Sequence, residues 1–523
     1  MKKSYADHIF HITLTILVGV FPIIALWQSN IGEFPSGFFV NILLISMAVN
    51  LLIYVVWLII FKELSKSSML TISTSVYLFT FGHIFNLIGN KVLFGVEFGF
   101  LKLFFLWTVV FIIFCYILIR TKRIDRSIIF GLNISLLALL LYNIYPILYY
   151  EILLGNQGNE QETAANENPI SLGVIDLPDI YYIVLDSYTS YDVLSSLIEY
   201  DNSEFLVELE KRGFYLPECA YSNYNLTTKT IASVLNYEYL ELEGWNIAEE
   251  DNPSPENINL IKSNKVQSFF SQYGYKFVTG RAFTPYLDIE KSDIYWNYSL
   301  DRTGKDDLDQ KQFLNLYLNT TVFRALSELS MSNRIDILNV PYWLIDEDGK
   351  NSYLDIATLW YEQNMYMFDS LSSIPQKQGN YLVYAHIIAP HGPYVFNLDG
   401  SFRYPDDSIN EKVLYRDSVI YINKRILEVI DTILEQSSYP PIIIIQGDHG
   451  IHKLTKGLDK HKILSAYYLP GDLNTPAYPT ITPVNNFRII IRNYFDPSME
   501  LLPDILHLAG KNNGPVKASC DLK

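Results

Sequence analysis

The sequence predicts an α-helical membrane domain of five spans followed by an α/β domain with a mainly parallel central sheet. Three observations lead to this prediction. The chain has 523 residues, which is too long for one ordinary domain. Apolar segments of about 20 residues, the length that crosses a bilayer, fill its first 150 positions. Beyond them, short β-branched runs alternate with segments of helical periodicity, which is typical of a parallel sheet covered by helices.

Five apolar segments account for most of the N-terminal part of the chain. Each is about as long as the ~20 residues that a helix needs to cross the hydrocarbon core. The first lacks a small-residue cleavage site and four more follow, so we expect a span there and not a cleaved signal peptide. The segments lie roughly at 9–28, 38–61, 69–90, 99–119 and 127–150.

Basic residues predict the orientation of these spans. They occur before the first span, after the second and after the fourth, and five spans would bring all three stretches to one side. That side is the cytoplasmic one by the positive-inside rule. We therefore expect a multi-pass protein of the cell membrane with a cytoplasmic N-terminus. The basic residues are Lys2, Lys3, Lys62, Lys66, Arg120, Lys122, Arg123 and Arg126.

Charge separates the two parts of the chain. Residues 1–150 carry 10 Lys and Arg against 5 Asp and Glu, whereas residues 151–523 carry 29 against 51. Such an acidic composition argues against nucleic acid as a partner. Residues 155–169 are polar and lack large apolar side chains, which is typical of a linker. We predict a transmembrane domain at 1–152, a polar linker at 153–170 and an extracytoplasmic domain at 171–523.

The three cysteines do not form a disulfide scaffold. Cys115 lies in an apolar segment. Cys219 and Cys520 are the two that could pair, and nothing in the sequence decides whether they do.

Short apolar runs predict the strands of the central sheet. Residues 180–185 are β-branched or aromatic and have the length of a buried strand. The segments 381–396 and 440–450 repeat this pattern. Between them, apolar residues recur at helical spacing over 416–436, which predicts a helix packed on the sheet.

Acidic and imidazole side chains follow these strands. Asp186 comes directly after the first, and His391 follows the second between two prolines. Asp448 and His449 follow the third, after Gly447, which we expect to let the backbone turn. In open α/β sheets, functional groups gather beyond the carboxyl ends of the strands. Converging carboxylates and an imidazole are costly unless a cation joins them, so the pattern predicts one divalent metal ion.

Each of these residues also has a plainer role that the sequence leaves open. Asp448 and His449 could be a loop cap and a surface imidazole. Asp186 could cap a following helix, and His391 could pack between its prolines. His386 lies inside the second strand, and we interpret it as a core residue.

Three motifs carry a family resemblance. "YYIVLDSY", "APHGPY" and "GDHG", in this order, resemble the sulfatase-like branch of the alkaline phosphatase superfamily. That branch includes lipoteichoic acid synthase and the phosphoethanolamine transferases, which also place a globular domain after about five membrane spans. The resemblance implies an alkaline-phosphatase/sulfatase-like fold for residues 171–523.

The resemblance extends to the nucleophile of the family. "YSNYNLTTKTIASVLN", residues 221–236, resembles the family's nucleophile segment, in which an Asn-Tyr and a Thr lead into a helix rich in small residues. Thr227 falls at the nucleophile's place, and Thr228 is the alternative. A threonine hydroxyl is inert at its own pKa, so metal coordination has to activate it. A helix that starts there would also help to hold an anionic phosphate.

The resemblance implies roles for the other site residues. Relatives use the histidine that matches His391 for phosphate or substrate. A mixed set of carboxylate, hydroxyl and imidazole ligands suits Zn or Mn, with Mg possible. The implied ligands of this one divalent metal ion are Asp186, Thr227, Asp448 and His449.

Departures from the sulfatase pattern favour the phospho-transferring members. The Cys/Ser-x-Pro-x-Arg signature, which matures to formylglycine, is absent, since "AYSN" follows Cys219. Ser187 follows Asp186 where true sulfatases carry a second acid and relatives often carry glycine. The long tail after "GDHG" in the phosphoethanolamine transferases is also absent. His452 and His461 could replace it as ligands, bind phosphate or lie on the surface.

The resemblance therefore implies metal-dependent transfer of a phospho head group, of phosphoglycerol or phosphoethanolamine type. The donor would be a membrane lipid, the acceptor a surface glycan or lipid, and the nucleophile a threonine. A sulfatase-like hydrolase of phosphate or sulfate esters is one alternative. A non-catalytic membrane scaffold for envelope-glycan assembly is another. The sequence leaves open the head group, the acceptor, the metal and the oligomeric state.

Overall fold

The contacts within the chain divide it into two compact units. The first comprises Met1–Ile152 and Asp306–Asp355, and the second Leu153–Lys305 and Ile356–Lys523. This computed structural model describes residues 2–31, 34, 36–88, 92–93, 96–97, 100–165, 177–240, 255–282, 284, 286–289, 291–303, 313, 316–323, 349–404, 406, 408–508 and 515–522.

Five long helices dominate the described residues of the first unit. Each contains a stretch that is long and apolar enough to cross a membrane, which confirms the five predicted segments. Two short strands, β1 (Val92–Leu93) and β2 (Val96–Glu97), pair between the third and fourth helices. The helices are α1 (Lys2–Ser29), α2 (Ser36–Phe61), α3 (Leu64–Ile88), α4 (Phe100–Arg120) and α5 (Arg126–Ala165).

A buried polar cluster joins α1, α2 and α3. The amide of Asn50 is fully buried, and its Oδ1 accepts a hydrogen bond from Ser75 Oγ. Ser46 Oγ donates to the carbonyl of Gly19 at 2.7 Å. A Cβ added at Gly19 would lie 2.9 Å from the Asn50 side chain, so glycine permits this close approach. Small residues and shared hydrogen bonds of this kind hold helices together where lipid supplies no hydrophobic force between them.

The polar stretch predicted as a linker begins as helix. Helix α5 continues without a break to Ala165. Residues 166–176 lie outside the described part of the chain. The linker and the domain boundary near residue 171 therefore stay predictions.

The second unit contains a six-stranded sheet in the order β5-β4-β6-β3-β7-β8. All neighbouring pairs are parallel except β7 and β8, which are antiparallel. The mainly parallel α/β architecture predicted from the sequence is thus confirmed. The strands are β3 (Ile180–Leu185), β4 (Lys276–Gly280), β5 (Ile294–Trp296), β6 (Tyr381–Ile387), β7 (Ile442–Gly447) and β8 (Ser465–Tyr468).

The three strands that the sequence singles out are direct neighbours. Strand β3 lies between β6 and β7, and its last residue, Leu185, pairs with both Ile387 and Gly447. The ends of these strands therefore lie at one level of the sheet. All residues of the three strands are buried, as the mainly apolar composition of each run predicts.

A long helix, Glu411–Gln436, covers the sheet as the periodicity of 416–436 predicts. Its buried side chains share one core with residues of β3, β6 and β7. The apolar residues that predicted this face are all buried, namely Val419, Ile422, Ile426, Val429, Ile430 and Ile433.

Other elements of the second unit carry parts of the site or frame it. A helix at Thr227–Leu235 follows the "YSNYNL" stretch. Two short strands, β9 (Ile505–His507) and β10 (Pro515–Lys517), pair near the end of the chain. The remaining described helices are Tyr191–Leu197, Ser203–Lys211, Pro255–Lys262, Lys265–Ser271, Tyr298–Thr303, Gly349–Ser373 and Asn486–Tyr494.

Cys219 and Cys520 form a disulfide, which answers the question that the sequence left open. Their Cα atoms lie 5.2 Å apart, although 301 positions separate them in the chain. The bond ties the end of the chain to the segment that leads into Thr227. Cys115 is a free cysteine.

Candidate metal centre and nucleophile

The turn after β3 places Asp186 at the edge of the sheet. The backbone N–H of Asp186 donates to the carbonyl of Ile387 at 3.0 Å, and its own carbonyl accepts from His391 N at 3.1 Å. These two bonds fasten the end of β3 to the end of β6. The next residue, Ser187, has a φ of 64°, in the left-handed region that favours glycine. A backbone of this conformation accepts glycine more easily than serine, which fits the glycine that relatives often carry at the position of Ser187.

Asp448 is held by backbone groups. Its side chain is fully buried, and its Oδ1 accepts hydrogen bonds from Ser187 N at 2.8 Å and from His449 N at 3.0 Å. The strand that delivers it needs a glycine at its end. A Cβ at Gly447 would lie 2.2 Å from the carbonyl oxygen of Tyr188. Close approach of two backbones therefore requires this glycine.

The neighbours of His449 define which of its nitrogens can bind a cation. Nδ1 lies 2.8 Å from the carbonyl oxygen of Gly450. A carbonyl only accepts hydrogen bonds, so Nδ1 carries the proton of the neutral ring and Nε2 carries the lone pair. The same arrangement is common in metal-binding histidines, whose second nitrogen is usually anchored in this way.

Four side chains converge around this lone pair. Nε2 of His449 lies 3.4 Å from Asp448 Oδ2 and 3.8 Å from Asp186 Oδ1. Ligand atoms of these three buried residues all lie within 4.8 Å of one another. Oγ1 of Thr227, the first residue of the helix Thr227–Leu235, lies 3.0 Å from the same Nε2. The structure thus brings together Asp186, Thr227, Asp448 and His449.

Two carboxylate oxygens in this cluster have no hydrogen-bond partner among the described residues. They are Asp186 Oδ1 and Asp448 Oδ2, the two that face His449 Nε2. Buried polar atoms are nearly always paired, and leaving a carboxylate oxygen unpaired is costly. Two oxygens and a lone pair also repel each other at this distance. A divalent cation would relieve both costs, so the residues fit the predicted metal ion.

The electrostatics around Asp186 favour its ionised form. Burial by itself raises the pKa of the Asp186 carboxyl. The electrostatic interaction with His391, followed by the contact with His386, outweighs this effect and holds the pKa well below its usual value. Burial by itself lowers the pKa of the His386 imidazole. The contact with Asp186 raises this pKa by more than burial lowers it, so the pKa ends above its usual value.

His386 is the site residue that the sequence reading missed. It is buried in β6, as expected of a core residue, but its Nε2 lies 3.3 Å from Asp186 Oδ2. The strand register is the cause, because His386 pairs with Val184, two residues before Asp186. A histidine inside an otherwise apolar strand was the only available signal.

His391 lies beside the cluster. Its side chain is exposed, and its ring centroid lies 6.5 Å from that of His449. Its Nδ1 lies 2.6 Å from the carbonyl oxygen of Gly392. This carbonyl fixes the ring, and His391 stands outside the four converging side chains.

His452 and His461 both contact the loop that precedes Thr227. His452 Nε2 donates to the carbonyl of Asn225, and its ring centroid lies 4.3 Å from that of His449. His461 Nδ1 lies 3.1 Å from the carbonyl oxygen of Ser222. Burial lowers the pKa of each imidazole to about 4. His461 is buried, which rules out the surface position that the sequence left open for it.

Comparisons with known proteins give likenesses to solved structures. No protein-family model and no curated protein matches the chain. The C-terminal periplasmic domain of EptC from Escherichia coli, in complex with Zn, is 10% identical and matches over 68% of this chain and 93% of its own, with a TM-score of 0.40. The lipoteichoic acid synthase LtaP from Listeria monocytogenes is 11% identical over 65% of this chain and 78% of its own, with a TM-score of 0.38.

A third likeness covers more of this chain. The integral membrane protein lipooligosaccharide phosphoethanolamine transferase A from Neisseria meningitidis is 10% identical and covers 88% of both chains, with a TM-score of 0.33. A lipoteichoic acid synthase and a phosphoethanolamine transferase are the kinds of protein that the sequence motifs resemble.

Proposed function

We propose that the protein is a metal-dependent transferase that moves a phospho head group from a membrane lipid to a surface glycan or lipid. The head group would be of phosphoglycerol or phosphoethanolamine type. One observation carries the proposal: the Thr227 hydroxyl faces the same point as the His449 lone pair and two unpaired carboxylate oxygens. A hydroxyl at such a point is placed to act as a nucleophile.

The cation would be held by the carboxylates of Asp186 and Asp448, the imidazole of His449 and the hydroxyl of Thr227. Four ligands of this mixed kind suit Zn or Mn, with Mg possible. When bound, the ion would lower the pKa of the threonine hydroxyl and attract the phosphate oxygens.

The first half of the reaction would load the head group onto Thr227. The Thr227 hydroxyl loses its proton to solvent as Oγ1 bonds to phosphorus, and the bond from phosphorus to the diacylglycerol oxygen breaks. His391 would give that oxygen its proton, since its exposed ring lies 6.5 Å from that of His449. The backbone N–H groups at the start of the helix Thr227–Leu235 favour the anionic phosphate.

The second half would pass the head group to the acceptor. His391, now without its proton, takes the proton of an acceptor hydroxyl, whose oxygen bonds to phosphorus. The bond to Thr227 Oγ1 breaks, and the threonine regains a proton from solvent. With water as acceptor, the same steps would make the protein a hydrolase.

The five helices would keep this chemistry close to its lipid donor. A tether raises the effective concentration of a membrane-bound substrate. Basic residues at the three predicted cytoplasmic stretches support an N-terminus inside the cell and a globular unit outside it.

The test uses the full chain in vesicles that contain phosphatidylethanolamine or phosphatidylglycerol labelled at phosphorus. We expect label on Thr227, lost in Thr227→Ala and on removal of metal but retained in the neighbouring variant Thr228→Ala. Label found on Thr228 instead of Thr227 would show that Thr228 is the nucleophile. Release of labelled head group to water, with no acceptor product, would favour the hydrolase. The proposal would be overturned in favour of a scaffold if the protein binds no metal, takes up no label and is as stable in the Asp448→Ala variant as in the parent.

A further inference from the structure

We infer that His386 is a positioning residue that holds Asp186 by Oδ2 and thereby aims Oδ1 at His449 and Thr227. This inference rests on the proposed function, because it concerns a ligand of the proposed metal ion. Among the described residues, His386 makes no contact with the proposed nucleophile Thr227 or with His391.

The two oxygens of Asp186 have different surroundings. Oδ2 lies 3.3 Å from His386 Nε2, whereas Oδ1 lies 3.8 Å from His449 Nε2. Among the described residues, no hydrogen bond reaches Oδ1. His386 is therefore the contact that distinguishes the two oxygens and fixes the rotation of the carboxylate.

The orientation of the His386 ring is itself fixed. Its Nδ1 lies 3.3 Å from the hydroxyl of Tyr384, two residues earlier on the same strand and the same face. The ring of Tyr384 stacks on Tyr182 with centroids 5.9 Å apart. Both tyrosines are almost fully buried, so the ring of His386 lies between a fixed hydroxyl and a carboxylate.

A role in packing alone does not account for this histidine. The strand around it is buried along its whole length, where an aliphatic side chain would pack without loss. A buried imidazole costs free energy unless its nitrogens have partners. In the described residues, Nε2 has no hydrogen bond, and its recorded contact is the charge of the Asp186 carboxylate, 3.3 Å away.

The test compares two amides of different length in the full chain, His386→Gln and His386→Asn. The nitrogen of glutamine can take the place of Nε2 and reach Asp186. The nitrogen of asparagine can replace only Nδ1. We measure the affinity for Zn²⁺ and for Mn²⁺ by competition with a chelator, and thermal unfolding with and without metal. Substitution of groups that orient a metal ligand typically costs 10–100-fold in affinity, so we expect that loss in H386N and a loss of no more than about threefold in H386Q.

Two further variants separate this inference from the proposed function. Asp186→Ala removes the ligand, and His507→Gln removes a half-buried imidazole outside the cluster. If H386N binds metal as tightly as the parent while D186A does not, His386 does not position Asp186 and the proposed metal site stands. If D186A also keeps its metal, the proposed function fails. Equal losses in H386N, H386Q and H507Q would show a general effect of removing an imidazole and would overturn the inference.

Discussion

The two acidic sides of the site are built differently. On the β7 side, Asp448 is fully buried, and two backbone N–H groups hold its Oδ1. On the β3 side, no backbone N–H of the described residues donates to the carboxylate of Asp186, and its Oδ2 instead contacts a side chain of the neighbouring strand, His386. A ligand held by backbone depends on the course of the chain. A ligand held by a side chain depends on one residue that can be replaced.

The difference has a consequence for how each side responds to mutation. Around Asp448, substitutions that move the backbone should matter, and side-chain changes should matter less. Around Asp186, a single side-chain change in β6 should suffice to disturb the ligand.

Replacing the acids themselves should have the largest effect. Loss of a metal ligand removes the activation of Thr227, so we expect transfer to fall by roughly 10³-fold or more in both Asp448→Ala and Asp186→Ala. Their metal-free stability should differ. D448A leaves the N–H groups of Ser187 and His449 without their acceptor, at a cost of about 1–3 kcal/mol, whereas D186A leaves no backbone donor unpaired. Chemical unfolding in the presence of a chelator measures this difference, and equal stability of the two variants would contradict the contrast.

Gly447→Ala should damage the backbone-held side without touching a ligand. Its Cβ would lie 2.2 Å from the carbonyl oxygen of Tyr188, so the end of β7 has to shift. Overpacking of this kind typically costs about 1–3 kcal/mol. We expect a lower melting temperature and weaker metal binding together. Unchanged metal affinity in a destabilised G447A would show that the position of Asp448 does not depend on this strand end.

The loop that carries Thr227 adds a third side, which His461 helps to hold. Burial lowers the pKa of the His461 imidazole to about 4, below its value in the unfolded chain. As pH falls from about 6.5 to 4, the unfolded chain takes up a proton that the folded protein does not, so stability falls by up to ~1.4 kcal/mol per pH unit. We expect this part of the pH dependence to be smaller in His461→Gln. The same slope in parent and variant would assign it to other groups.

Tyr384→Phe should have the smallest effect. It removes the hydroxyl 3.3 Å from His386 Nδ1 and leaves the imidazole next to Asp186. We expect metal affinity to fall by a few-fold, less than the 10–100-fold typical of losing a direct contact to a ligand. An effect as large as that of H386N would mean that the hydroxyl, and not the contact with Asp186, sets the position of the ring.

The sequence predicted elements with strong local patterns. The run Ile180–Leu185 matches strand β3 at both ends, and the five apolar segments correspond to α1–α5. Residues at strand ends were predictable as well, because parallel strands bring their carboxyl ends together. Geometry places Asp186, Thr227, Asp448 and His449 in one cluster, and their role in catalysis stays a proposal.

What the sequence could not show depends on register and on distant pairing. His386 meets Asp186 because β6 pairs with β3 in one particular register, which no local pattern encodes. The antiparallel direction of β8 is likewise set by tertiary packing. The disulfide between Cys219 and Cys520 joins positions 301 apart, and two cysteines alone do not reveal whether they meet.

We propose that two buried carboxylates, an imidazole and the Thr227 hydroxyl enclose one divalent cation. The most direct measurement is the metal content of the purified full chain by elemental analysis, beside Asp186→Ala and Asp448→Ala. We predict one divalent ion per chain in the parent and much less in both variants. A parent that folds and melts cooperatively without a bound ion, even after Zn²⁺ or Mn²⁺ is supplied, would contradict the account.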